Sequence, residues 1–150
     1  MITAHELMIK AKRALASSKL LLAEKDADGA CNRAYYAMFD ASRAALIAAG
    51  FAEIAITTKK HSGLISTFSL HLIKTGKLPV ELGRSLNKVE DIRLMADYLG
   101  KEVDIDKADW SLLQAELFGV QLTKNSFLVK EKKVNNHGAF HGQRKTVFNP

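Results

Sequence analysis

The residues best suited to chemistry are an arginine, a histidine and a few polar side chains near them. "VEDIRLMADYLG" carries Arg93, then Asp97 and Tyr98 about one helical turn later. The row Leu82, Leu86, Val89, Arg93 and Ala96 alternates spacings of four and three, which puts Arg93 on the buried or interfacial face of a helix. A charge placed there needs a partner, because an unpaired buried charge is very costly. Asp97 is the nearest candidate, with Asp40 and Asn32 within reach if their helix lies alongside. Two readings follow: an internal ion pair at a bundle seam, or an arginine lining a cleft where its planar fork meets a phosphate.

His61 occupies the same kind of place in the row His61, Ile65, Phe68, Leu72, beside Lys59 and Lys60. It reads either as a half-buried histidine satisfied by hydrogen bonds or as a ligand-facing acid or base, the side chain most easily set to work near neutral pH. "CNRAYYAMFDASRAAL" lines up Asn32, Tyr36, Asp40 and Arg43 as one polar edge, with Arg33 beside it and Arg43 able to pair with Asp40. Asn32, Arg33, Tyr36, Arg43, Lys59 and Lys60 are the candidate contacts to a nucleic acid or nucleotide, although tyrosines at such spacing also suit a core. Cys31 has no base near it in sequence and reads as a small buried hydrophobe. His137 and His141 lack the further ligands a zinc site needs, and no phosphate-binding glycine loop or cysteine pair is present, so no metal or cofactor is expected. Lys124, Lys130, Lys132, Lys133, Arg144 and Lys145 make the C-terminal end basic, which suits a solvated surface or nonspecific RNA contact.

Helices must position these groups. The first is predicted over Ala4–Lys25, with Thr3 and Glu6 as a capping box and Met8, Ala11, Leu15, Ser18 and Leu22 inward. The second, Gly29–Ala49, is capped by Asp28 and carries a seam of Ala30, Ala34, Ala37, Ala41, Ala44 and Ala48, against which a neighbour can pack closely. "FAEIAIT" reads as a loop. A third helix, Lys59–Thr75, starts at a cap of Thr57 or Thr58, and a fourth runs from Pro79 to Leu99 and ends at Gly100. A fifth begins at Lys107, capped by Asp106, turns Trp110, Leu113, Leu117, Val120 and Phe127 inward, and frays near Lys133. The expected fold is all-α: an antiparallel up-down four-helix bundle with an additional fifth helix over 1–133, and a flexible basic tail over 134–150.

The 150 residues suit one domain with a real core, at 47% hydrophobic and 25% charged. No apolar run approaches the roughly 20 residues of a membrane span, the first residues do not read as a signal peptide, and a single cysteine fits a cytoplasmic protein. The net charge of +6 permits attraction to nucleic acid or an acidic protein without specifying either.

Three blocks in order, "NRAYYAMFDASRAAL", "TKKHSGLISTF" and "RLMADY", resemble the signature of HEPN-domain proteins, closest to their small stand-alone prokaryotic branch. The resemblance spans about residues 5–128. It implies a helical bundle, a homodimer, and a partner that is a minimal nucleotidyltransferase in a toxin–antitoxin or defence module. Active members are metal-independent ribonucleases that use an arginine and, four to six residues on, a histidine. Arg93 matches the arginine, but the position five further on is Tyr98, so the row here is Arg93, Asp97, Tyr98. Histidine titrates near neutrality whereas aspartic acid and tyrosine do not. His61 therefore joins Arg93, Asp97 and Tyr98 as a catalytic candidate, provided folding brings it to Arg93. Tyr98 also matches, with altered spacing, a tyrosine that partner nucleotidyltransferases modify. The expected function is RNA binding, with endoribonuclease activity as one possibility; the alternatives are a non-catalytic module that binds a nucleotidyltransferase or a nucleotide, and a purely structural adaptor.

Overall fold

The computed structural model describes residues 1–58 and 60–125. Among them lie six α-helices and a π turn, with no strand: α1 (Ala4–Ala23), α2 (Ala27–Ala48), α3 (Ala52–Thr57), α4 (His61–Phe68) continued by the π turn Ser69–Ile73, α5 (Val80–Leu99) and α6 (Ile105–Thr123). The expected four-plus-one count is therefore corrected. "FAEIAIT" forms the short helix α3 instead of a loop, anchored by buried Ala55. It is too short to show a helical period in sequence and draws its stability from packing against α2. The expected end of the fifth helix, Phe127, the boundary at residue 133 and the tail lie outside the described residues.

α2 is the central helix and packs against α1, α3, α4, α5 and α6. Its alanine seam meets small residues of α1. Ala30, Ala34, Ala37, Ala41 and Ala44 are buried opposite Ala4, Ala11, Ala14 and Ser18. The approach is close enough for the Ser18 hydroxyl to donate a 2.6 Å hydrogen bond to the backbone carbonyl of Ala30. Large side chains then fill the other side of α2: Tyr35, Met38, Leu46, Leu64, Phe68, Leu72, Leu86 and Phe118 form the main core.

Several helix starts differ from expectation. The Thr3–Glu6 capping box is present. Asp26, not Asp28, caps α2 by accepting from the Gly29 N–H at 2.9 Å. A side chain at Gly29 would collide with that carboxylate. Asp28 instead accepts from the Val103 N–H at 2.8 Å and ties the α5–α6 link to α2. Lys60 stands at the N-cap of α4 with no side-chain hydrogen bond, so neither Thr57 nor Thr58 caps it. Asp104, not Asp106, caps α6. For α2 and α6 the sequence offers two aspartates of equal capping ability, and the fold selects which one.

The largest correction concerns α6. Trp110, Leu113, Leu117 and Val120 do not face the core; they are 37–50% exposed. The buried side is Ala108, Ser111, Leu112, Ala115, Phe118 and Leu122. Both rows alternate spacings of about three and four, so periodicity alone cannot choose between them. The row packed against α2 and the core is the one that interleaves small residues, Ala108, Ser111 and Ala115, with Leu112, Phe118 and Leu122. Cys31 is buried there, its sulfur 3.6 Å from the Ser111 hydroxyl, as a small hydrophobe would be.

Candidate functional site

Arg93 points inward, as its place in the α5 row requires, and only 8% of it is exposed. Its Nη1 donates to Asp97 Oδ2 at 2.9 Å, one turn along the same helix. The guanidinium carbon lies 4.5 Å from the centre of the Tyr35 ring and 6.0 Å from that of Tyr36, within cation–π range. Its Nε is buried and has no hydrogen-bond partner among the described residues. Asp40 does not reach Arg93. It approaches Arg43 at 3.8 Å, and burial raises its pKa against the lowering effects of Lys10, Arg43 and Arg33. Among the described residues no hydrogen bond joins Asn32 to Arg93 either. The anticipated polar edge thus divides, because residues four apart advance by about 40° per step around a helix of 3.6 residues per turn.

His61, at the first turn of α4, reaches the same place. Its ring stacks on Phe39 with centres 4.4 Å apart and lies 5.5 Å from both Tyr35 and Tyr36. Its Nδ1 is hydrogen-bonded to the Tyr35 hydroxyl at 2.9 Å, and that hydroxyl also approaches Glu90 Oε2 at 3.4 Å. Partial burial lowers the pKa of His61 below 6.5, with the charge of Arg93 acting the same way, which favours neutral imidazole at pH 7. Burial pushes the Tyr35 phenol far above its usual value, with the carboxylate of Glu90 adding to the effect. Burial also raises Glu90, and Arg93 opposes that rise.

The structure thus gathers Arg93, Asp97, Tyr36 and His61 of the anticipated residues. Arg33 extends the cluster, its guanidinium carbon 5.6 Å from the Tyr36 ring centre. Lys60 is exposed and next in sequence to His61. Arg43 belongs with Asp40, and Lys59 lies outside the described residues. Tyr98 is 76% exposed near the end of α5, and no hydrogen bond among the described residues links it to the cluster. Tyr35 and Glu90 were not singled out by sequence. Tyr35 reads as core and is fully buried, while Glu90 beside Val89 gave no signal except its place on the Arg93 helix. Among the described residues, no group of three or more His, Cys, Asp and Glu side chains is arranged to hold a metal ion.

The HEPN domain model matches residues 4–119, and the chain belongs to the HEPN domain family. A UPF0332 protein of Gloeobacter violaceus is 36% identical over 112 residues, 75% of this chain and 85% of that protein. A UPF0332 protein of Thermotoga maritima is also 36% identical, over 67% of this chain and 74% of its own length. A protein of Methanocaldococcus jannaschii named "Putative toxin" is 30% identical over 76% of this chain and 81% of its own.

Proposed function

We propose that the chain is the RNA-directed member of a toxin–antitoxin or defence module, a homodimeric, metal-independent endoribonuclease whose site centres on Arg93 and His61. The observation that carries this reading is the convergence of these residues, from α5 and α4, on Tyr35. Similarity to proteins named as toxins supports the biological setting. In this reading neutral His61 takes the proton from a ribose 2′-hydroxyl. The 2′-oxygen then bonds to phosphorus, the bond from phosphorus to the 5′-oxygen breaks, and that oxygen takes a proton from water. The charge of Arg93 stabilises the phosphoryl oxygens as negative charge builds. Asp97 holds Arg93, and the Tyr36 ring with Arg33 and Lys60 offers a base-stacking and phosphate-binding edge. The bundle acts as one domain, and residues 134–150 act as a basic tail adding nonspecific RNA attraction.

The test is incubation of the full chain with RNA in a chelator, and expression in a host with growth measured. Wild type is expected to cut RNA and slow growth, and Arg93→Ala and His61→Ala to do neither while keeping the helical circular dichroism spectrum. Intact RNA with wild type, or equal cutting by Arg93→Ala, rejects the ribonuclease.

A second reading has its own observation. Asp97 already occupies part of the Arg93 fork, and Arg93 is nearly buried. Both suit a non-catalytic module that binds a nucleotidyltransferase, for which exposed Tyr98 is an accessible acceptor. Tight binding to such a partner, with no RNA cleavage, would favour it.

A further inference from the structure

Glu90, Tyr35 and His61 form a chain of side chains that joins α5, α2 and α4, with Tyr35 the most deeply buried of the three. Glu90 is buried on α5, Tyr35 is fully buried on α2, and His61 is half-buried at the start of α4. The Tyr35 hydroxyl has one proton to give and two neighbours, Glu90 Oε2 at 3.4 Å and His61 Nδ1 at 2.9 Å. An ionised carboxylate can only accept, so in its contact with Glu90 Tyr35 is the donor; the phenol oxygen is then left to accept, and Nδ1 of His61 must carry the hydrogen. Neutral imidazole then has its lone pair on Nε2, which has no hydrogen-bond partner among the described residues.

We infer that Tyr35 and Glu90 are positioning residues that fix His61 in its Nδ1–H tautomer and aim Nε2 as the base. This inference rests on the ribonuclease reading for its catalytic use, but the tautomer itself does not. The aromatic surroundings support a fixed ring: Phe39 stacks on it at 4.4 Å and Tyr36 meets it edge-on at 5.5 Å. The charged and titratable groups around it are Tyr35 and Tyr36 of α2, Glu90 and Arg93 of α5, and Lys60 at its own helix start. Arg93 lies beside the same phenol ring and disfavours a second positive charge on His61 at rest. When Nε2 accepts a proton, the imidazolium N–H at Nδ1 still points at the phenol oxygen, with the Glu90 carboxylate behind it. The arrangement therefore supports the histidine in both protonation states, as a carboxylate does in a Ser-His-Asp triad, with a phenol placed between the two groups.

The experiment is nitrogen-15 NMR of the His61 ring in the full-length protein without RNA, above the histidine's titration range. The expected result is a protonated Nδ1 and an unprotonated Nε2 in wild type, lost in Tyr35→Phe, where the ring shows the mixed tautomers of an unconstrained histidine. Tyr35→Phe keeps the ring's shape and packing; if it nevertheless fails to fold, Glu90→Gln is read in the same way, with a weaker bias expected. A proton on Nε2 in wild type, or a tautomer unchanged in Tyr35→Phe, overturns the inference whatever the cleavage assay returns. Where wild type cuts RNA, Tyr35→Phe is expected to lower kcat at least tenfold and KM less than twofold. If the tautomer is as expected but His61→Ala cuts normally, the ribonuclease role of His61 fails and the fixed tautomer stands.

Discussion

Arg93 and Tyr35 are held together as cation on ring, the guanidinium carbon 4.5 Å from the ring centre and the pair shielded from water on most sides. The contact joins α5 to α2 and places a charge and a phenol beside His61 of α4. It also sets what substitutions at Arg93 should do.

Lysine at position 93 keeps the charge and loses the planar fork. Arg93→Lys is expected to cost about 0.5–2 kcal/mol in urea unfolding, the span from exposed to desolvated cation–π contacts, and to weaken RNA binding about tenfold, since a point charge cannot reproduce bidentate contact. Fluorescence anisotropy with a labelled RNA measures the second effect. Unchanged affinity in Arg93→Lys would remove Arg93 from the phosphate contact.

Asp97 is an anion already seated on Arg93, with its side chain 40% exposed. Removing it opens the fork to a phosphate. Asp97→Ala is expected to bind RNA severalfold more tightly and to lose about 1 kcal/mol of stability, because a partly exposed pair contributes little while its buried partner loses a neighbour. Cleavage abolished with binding intact would assign Asp97 a direct part in proton transfer instead.

His61 sets a pH dependence. Its folded pKa lies below the ordinary 6.5, chiefly through burial. Below 6.5 the unfolded chain takes up the proton first, so stability is full above that value and falls as pH drops toward the folded pKa. The carboxyls of Glu90 and Asp40, both raised by burial, act in the opposite sense as acid protonates them. The comparison with His61→Gln isolates the histidine. The melting temperature of the variant is expected to decline less than that of wild type between about pH 7 and pH 5. An NMR midpoint for His61 at or above 6.5 would contradict this.

The two faces of α6 predict opposite responses. Phe118→Ala removes a fully buried ring that lies 5.7 Å from Phe68 and is expected to cost about 3–5 kcal/mol. Leu117→Glu changes an exposed residue and is expected to leave the circular dichroism spectrum unchanged. In the homodimer proposed above, the exposed apolar row Trp110, Leu113, Leu117 and Val120 would be the contact surface. Light scattering is expected to show a dimer for wild type at micromolar concentration and a monomer for Leu117→Glu. A monomeric wild type would count against the dimer, and loss of the fold in Leu117→Glu would restore the inward reading of that row.

The sequence by itself determined what depends on neighbours a few residues apart. The rows of α1 and α2, the stop at Gly100 with its φ of 65°, and the inward setting of Arg93 with Asp97 as its partner all follow from helical period and local pairing. α6 shows where this stops: two apolar rows on opposite faces have equal periodicity, and packing of the whole helix against α2 chose between them. The candidate site shows it again. Tyr35, His61 and Glu90 come from three different helices, and a buried tyrosine carries no local mark that separates packing from polar contact. Their meeting depends on the rotation and spacing of whole helices, set by long-range packing, which only the tertiary structure decides.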